Sequence, residues 1–366
     1  MESTAPKTRK ITIADVAKKA SVSPGTVSRV LSGTNTLVRI SEKTRKTVIE
    51  AARQLNFYPN YAAQSLASAK THTIGVAICQ DQTGRGFIGM YEAMIISGIE
   101  EAAHEQGYDI LLMSLVDPVR DIERCKRIFL QNRIDGLVMI TSPERDIIVK
   151  ELVEMGETVV AIDAYGADIG IPCVNIDNIK AIKIAMQYLT SLGHRKIGFI
   201  GTLKDQEGIE ESLRRKGYEA GLKFANIALD PAYIINGSSV SNRTKGPTGG
   251  TFDDGYIGVK ELMSRVNGLT AVVCHNDLVA AGVIAGLNQA GKKIPSDVSV
   301  IGFDDSIVSR TTFPSLCSIR HPTELMGKVA VDLILKTGQD NSKLNINRRY
   351  VLDAELVIRD SVSPIA

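Results

Sequence analysis

Thr26, Ser28 and Arg29 flank two valines, Val27 and Val30, in the stretch PGTVSRVL. Hydroxyls beside a helix N-terminus suit phosphate oxygens. An arginine there can read guanine O6 and N7 bidentately, worth about 1–3 kcal/mol of discrimination. A second polar set stands at the ends of apolar runs. Gln80 and Asp81 follow 73–78, Asp163 follows 158–162, Asn276 follows 270–274, and Asp304 follows 298–302. Carboxylates and amides in such places can meet the hydroxyls of a small polar ligand. Asn276 and Asp277 also fit as helix caps. Signs of enzyme chemistry are missing: there is no nucleophile–base pair and no His-Glu-x-x-His motif. His194 and His275 have no carboxylate or serine partner in the sequence and read as structural. The five cysteines form no C-x-x-C pair, so neither zinc nor a disulfide framework is expected. No metal, no cofactor and no enzymatic activity are expected.

The first set needs short helices to hold it. Thr12 precedes an apolar pattern with Asp15 three residues on, the spacing of a reciprocal cap. Val16, Ala17 and Ala20 make one helical face, and Ser21-Val22-Ser23 breaks it. Ser23 suits the next N-cap and Pro24 the first helical position. Val27, Val30 and Leu31 form the second face, with Gly33 as the stop. Ser41 opens a third helix with Val48, Ala51, Ala52 and Leu55 as its stripe, and Tyr58-Pro59-Asn60 is expected to end that region. Helices this short are marginal alone, so they must pack together as a helix-turn-helix. The second helix then has the dimensions to enter a major groove. A three-helix protein-interaction module has the same apolar pattern.

Charge separates this head from the rest. Residues 1–70 carry 12 Lys/Arg and 4 Asp/Glu, whereas the other 296 carry 31 and 37. A basic head on a mildly acidic body suggests a polyanion-binding module joined to something else; a basic solvated tail is the plainer alternative. No run is long enough for a membrane span, the N-terminus has no apolar leader, and the scattered thiols fit a reducing cytosol.

The second set needs strands. From residue 73, apolar runs at 73–78, 109–113, 135–140 and 158–162 alternate with helical patterns such as 93–105 and 122–131. The rhythm restarts at 196–200 and continues to 298–302. Two successive β-α-β units predict two lobes of doubly wound parallel sheet with a cleft at the strand ends.

The segments ITIADVAKKASVSPGTVSRVLSG and ISEKTRKTVIEAARQLNFYPNYAAQSLAS strongly resemble the lactose repressor/galactose repressor (LacI/GalR) family of bacterial regulators. LGHRKIGFI, CHND and IGFDD extend the likeness through the body. The resemblance implies an all-α helix-turn-helix head (1–58), a hinge helix and linker (59–71), and a periplasmic-binding-protein-like α/β body (72–366). It places lobe 1 at 72–177 and 321–344 and lobe 2 at 178–317 and 345–360, with crossings near Asp177, 318–320 and Ala354. It implies a sequence-specific transcriptional regulator, a repressor by first expectation. Such a protein binds a pseudo-palindromic double-stranded operator as a homodimer, higher oligomers remaining open. A small-molecule effector controls it, a sugar or sugar derivative first and a purine-type corepressor second.

The family's base-reading positions fall on Pro24, Gly25 and Arg29, of which Arg29 alone has a long polar side chain. Thr12, Ser23, Thr26, Ser28, Asn60 and Ala63 complete the DNA-contacting candidates, and Leu66 matches the leucine that wedges into the minor groove. Arg214 matches the family's effector arginine, with a surface ion pair as its plainer role. It joins Gln80, Asp81, Asp163, Asn276 and Asp304 as effector candidates. The chain departs from the family twice. It lacks the compact turn after the first body strand, and Gly250 stands where the family's pocket aromatic aligns, leaving Phe252 displaced. Residues 84–89 also match G-x-G-x-x-G, with Asp117 as a ribose partner. Read literally they predict a dinucleotide-binding enzyme or redox sensor, but Gly84 lies too far beyond the strand for that turn.

Overall fold

A computed structural model describes residues 11–32, 40–60, 70–79, 89–140, 146–164, 170–201, 210–236, 250–337 and 349–365. The chain forms two compact units, Met1–His72 and Thr73–Ala366. Gly33, Ala63, Leu66, Gln80, Asp81 and the 84–88 part of the glycine motif lie outside the described residues.

The first unit has α1 (Ile13–Ala20), α2 (Pro24–Ser32) and α3 (Glu42–Gln54). Asp15 accepts from the Thr12 amide (2.9 Å) and hydroxyl (2.7 Å), and Ser21 turns left-handed (φ 53°) to stop α1. Ser23 Oγ caps α2 by accepting from Thr26 N (3.1 Å), and Ser41 Oγ caps α3 from Thr44 N (3.2 Å). Val16, Val27 and Val48 are fully buried against one another. Burial of each contributes about 1.5–3 kcal/mol, which is how three short helices hold. The third helix ends earlier than its proline suggests. Asn56 takes a left-handed conformation (φ 52°), and Phe57 N bonds back to Ala52 O (2.9 Å). Asparagine tolerates that geometry, so the stop comes before Tyr58-Pro59.

The second unit holds two six-stranded sheets. The first contains β1 (Thr73–Cys79), β2 (Asp109–Leu115), β3 (Gly136–Ile140), β4 (Val159–Ile162) and β5 (Cys173–Ile176). Between them run α4 (Met90–Glu105), α5 (Pro118–Leu130) and α6 (Asp146–Glu154). After α7 (Asn178–Ser191) the second sheet takes β6 (Ile197–Gly201), β7 (Ile234–Asn236), β8 (Ala271–Cys274), β9 (Ser299–Asp304) and β10 (Cys317–Arg320). Its helices are α8 (Glu210–Phe224), α9 (Phe252–Arg265), α10 (Asp277–Gln289) and the short α11 (Ile307–Thr311). The chain then returns through α12 (Thr323–Thr337), β11 (Arg349–Leu352) and β12 (Glu355–Val357).

Strand residues bury both faces alternately. Leu137 and Met139 enter one core, and Val138 and Ile140 the other. That is the pattern of a parallel sheet covered on both sides. Gly98 lets α4 meet α12 closely, since a Cβ there would lie 2.0 Å from Glu324 O.

The lobe boundaries need two corrections. The range 345–360 does not lie wholly in the second lobe: β11 pairs parallel with β5 in the first sheet, and only β12 joins the second, antiparallel to β10. The middle crossing follows Arg320, because β10 stays paired with β9 to its last residue. Edge strands of four and three residues have too little periodicity to be assigned to a sheet from sequence.

Candidate functional site

The DNA-facing candidates lie on α2. Val27 and Val30 point inward, while Ser23, Pro24, Gly25, Ser28 and Arg29 are exposed and Thr26 is half-buried. Two of them also have local work: Ser23 caps the helix, and its hydroxyl lies 2.9 Å from that of Thr26. Thr12 and Asn60 are exposed as well.

In the second unit, the carboxyl ends of the parallel strands carry the other candidates. Asp163 directly follows β4, with a left-handed backbone (φ 59°). The Tyr91 hydroxyl, from the first turn of α4, donates to it. Tyr91 packs against His321 with centroids 5.1 Å apart, and His321 Nδ1 stands 3.9 Å from Asp304 Oδ1. His321 occupies the crossing just beyond β10 and is fully buried. Asp163 in one lobe and Asp304 in the other are thus joined through Tyr91 and His321.

A second branch runs from the same histidine. Phe303 meets His321 edge-on at 5.8 Å, and the Arg214 guanidinium carbon lies 3.8 Å from the Phe303 ring centroid. Arg214 is 3% exposed, so the surface ion-pair role does not hold. Its Nε donates to Asn178 Oδ1 (3.0 Å) and its Nη1 to His275 O (2.7 Å). A buried cation is costly without such partners, and stacking on an aromatic face offsets part of that cost. Burial, and then the Arg214 charge, hold the His275 pKa well below its ordinary value, so the imidazole is neutral. Asn178 Nδ2 and His275 Nδ1 are buried with no hydrogen-bond partner among the described residues.

Asn276 is the N-cap of α10. Its Oδ1 accepts from Val279 N (2.8 Å), and its Nδ2 donates to Gly250 O (3.0 Å). Gly250 has φ 83°, a conformation that strains any residue with a side chain, and a Cβ there would lie 2.7 Å from Asn276 Nδ2. Phe252 is partly exposed and stacks on Tyr256. Asp117, the ribose partner of the dinucleotide reading, caps α5 by accepting from Val119 N (3.0 Å) and Arg120 N (3.3 Å). His194, read as structural, has its Nε2 2.9 Å from Ser363 O.

Sequence reasoning missed Tyr91, Asn178, Phe303 and His321. Asn178 directly follows the Asp177 crossing and His321 lies in the crossing after β10, and that adjacency is the one signal that pointed to them. Chemically the site combines acceptors from both lobes with a ring-stacked guanidinium. Among the described residues no group of His, Cys, Asp or Glu is arranged to hold a metal, and no helix is long and apolar enough to cross a membrane.

Comparison with known proteins agrees with this geometry. Residues 12–60 match the bacterial regulatory proteins of the lacI family, and residues 186–362 match the periplasmic binding protein-like domain. The HTH-type transcriptional regulator RegA of Clostridium saccharobutylicum is 30% identical, over 95% of this chain and 98% of its own. A solved complex of the transcriptional regulator CelR with cellobiose is 27% identical with a TM-score of 0.67, covering 96% of this chain and 100% of that one. The lac repressor dimer bound to operator and the anti-inducer ONPF shares the fold, with a TM-score of 0.78 at 22% identity over 97% and 100%. Helix-turn-helix head, two-sheet body and near-complete coverage of a 30%-identical regulator converge: the chain belongs to the lacI family of bacterial regulatory proteins.

Proposed function

We infer that this chain is an operator-binding transcriptional repressor. It acts as a homodimer, and a small polyhydroxyl effector, a sugar or sugar derivative, controls it. The observation that carries the reading is the outward row Pro24, Gly25, Ser28 and Arg29 on a helix whose valines are buried. Arg29 reads a guanine, Thr26 and Ser28 hold phosphates, and Pro24 and Gly25 allow close backbone approach. Two copies related by a two-fold axis require a two-fold operator. Segment 60–67, with Asn60, Ala63 and Leu66, enters the minor groove, where Leu66 opens the central step.

The effector sits at the strand ends of the body. Asp304 and Asp163 accept from hydroxyls, and Arg214 and Asn276 donate. Gln80 and Asp81, which lie outside the described residues, remain the further candidates from the first lobe. Cellobiose, the ligand of the CelR complex, has this chemistry. Binding that favours one arrangement of the lobes changes operator affinity by linkage.

The DNA half is tested by fluorescence anisotropy, comparing a selected pseudo-palindromic site with random DNA of equal length. Arg29→Ala lowers the specific-to-random affinity ratio by about 5- to 150-fold, at roughly 1–3 kcal/mol per lost contact. An unchanged ratio refutes direct reading. The ligand half is tested by thermal shift with cellobiose, lactose, glucose, glucose 6-phosphate and hypoxanthine. A true ligand at about 100 times its Kd stabilises by about 2.7 kcal/mol. Asp304→Asn abolishes that shift; a response to hypoxanthine alone moves the reading to a purine-type corepressor.

A further inference from the structure

The turn that carries Asp304 hangs on a carboxylate from another element. Asp277, the first residue of α10, is 1% exposed. Its Oδ2 accepts from Ser306 N (2.7 Å) and Ser306 Oγ (2.9 Å), and its Oδ1 from Ser318 Oγ (2.5 Å). Ser318 Oγ in turn accepts from Asp305 N (3.1 Å), so its proton is committed to Asp277. Asp305, held through Ser318, is left-handed at φ 53°, and so is Asp304 just before it, at φ 105°. Side-chain-bearing residues leave that region unless the surroundings over-determine them.

Space has also been cleared for the carboxylate. A Cβ on Gly302, in β9, would lie 2.4 Å from Asp277 Oδ1. Capping α10 does not explain Asp277, since Asn276 already does that. A favourable charge at the first turn of α10 would need no link to Ser306 or Ser318. Ser318 lies on β10, the strand that leads into the crossing, so the brace joins the Asp304 turn to that strand.

We propose that Asp277 is the positioning residue of the ligand carboxylate Asp304: it sets the left-handed turn that presents Asp304 and ties that turn to β10, the strand that leads into the crossing. The proposal rests on the reading that Asp304 meets the effector. Without the brace, Asp304 rotates away from its place beside His321.

The experiment uses the full-length chain without ligand. Carboxyl footprinting with a water-soluble carbodiimide and glycine ethyl ester, read by mass spectrometry, reports on Asp304. Hydrogen exchange reports on the 303–310 segment and on α10. In Asp277→Ala, labelling of Asp304 changes several-fold and 303–310 exchanges about tenfold faster, the factor for about 1.4 kcal/mol of lost hydrogen bonding. Peptides from 280–289 stay at wild-type protection. Asp277→Asn, which keeps one acceptor, restores part of both. Should the alanine variant fail to fold, Ser306→Ala and Ser318→Ala each produce a smaller change of the same sign. An unchanged Asp304 label, or equal loss of protection in 303–310 and α10, overturns the proposal. The ligand reading fails separately, if Asp304→Asn keeps the wild-type thermal response to the sugar panel.

Discussion

Asp305 is the carboxylate through which the second lobe holds its own edges, and its removal can be worked out in advance. Its side chain is 2% exposed and pairs with Arg320 Nε (2.8 Å) and with the Arg359 guanidinium, while Ser309 Oγ donates at 3.0 Å. Burial works to raise its pKa, but hydrogen bonds from Arg359 and then Arg320 outweigh that and hold it below the ordinary carboxylate value. The two arginines are unequal. Arg320 is 45% exposed and also reaches Glu355, so its pair with Asp305 contributes about 0–1 kcal/mol. Arg359 is 15% exposed and donates its Nη1 to Leu316 O (2.7 Å), so it cannot swing into water. Taking one partner from a buried pair costs about 3–5 kcal/mol, and partial access at Arg320 places Asp305→Asn near the low end, at about 3 kcal/mol.

For a unit of this size that lowers Tm by about 5 °C. The chain has no tryptophan, so far-UV circular dichroism in urea is the suitable readout. Asp305→Asn, Arg359→Met and the double variant close a cycle with a coupling of about 1–3 kcal/mol. The pH sign follows from the lowered pKa. Asp305 stabilises fully above its unfolded value near 4, and that contribution is lost as pH falls through the folded value. The gap between wild type and Asp305→Asn is therefore full at pH 7 and narrows as pH falls below about 4. Additive single variants, or a gap that does not narrow at all below about pH 4, would falsify the argument.

Asp277 gives the opposite pH sign. Burial, and then the Asp304 charge, raise its pKa to about 7, so the native state keeps a proton that the unfolded chain releases near pH 4. Stability therefore falls as pH rises from about 4 to 7, and Asp304→Asn makes that fall shallower; an identical slope in both proteins, measured by urea midpoint, refutes the coupling. Gly98→Ala drives a methyl to 2.0 Å from Glu324 O and destabilises the second unit by about 1–3 kcal/mol, checked by thermal melting, with an unchanged Tm as the contrary result. Leu66→Ala reduces operator bending, read by energy transfer between DNA ends, and leaves sugar binding intact; wild-type bending removes the wedge.

The head was almost wholly legible. Its caps, its break at 21–23 and its valine faces are local features, set by residues three or four apart. The β-α rhythm and the strand ends bearing Asp163, Asn276 and Asp304 were also readable, because doubly buried strands leave continuous apolar runs. What could not be read depends on residues distant in the chain. Arg214 and Phe303 stand 89 positions apart and meet in a stack only because α8 and β9 pack on one core. Asn276 was readable as a ligand group or a cap, and only the positions of Gly250 and Val279 show that it caps α10. The sheet of β11 was a matter of which edge still had unpaired backbone groups, and four residues carry no label for that. One-dimensional order specifies helices, strands and their ends; which side chains share a buried space follows from closing the lobes, where a polar group must find its partner or lose its solvation.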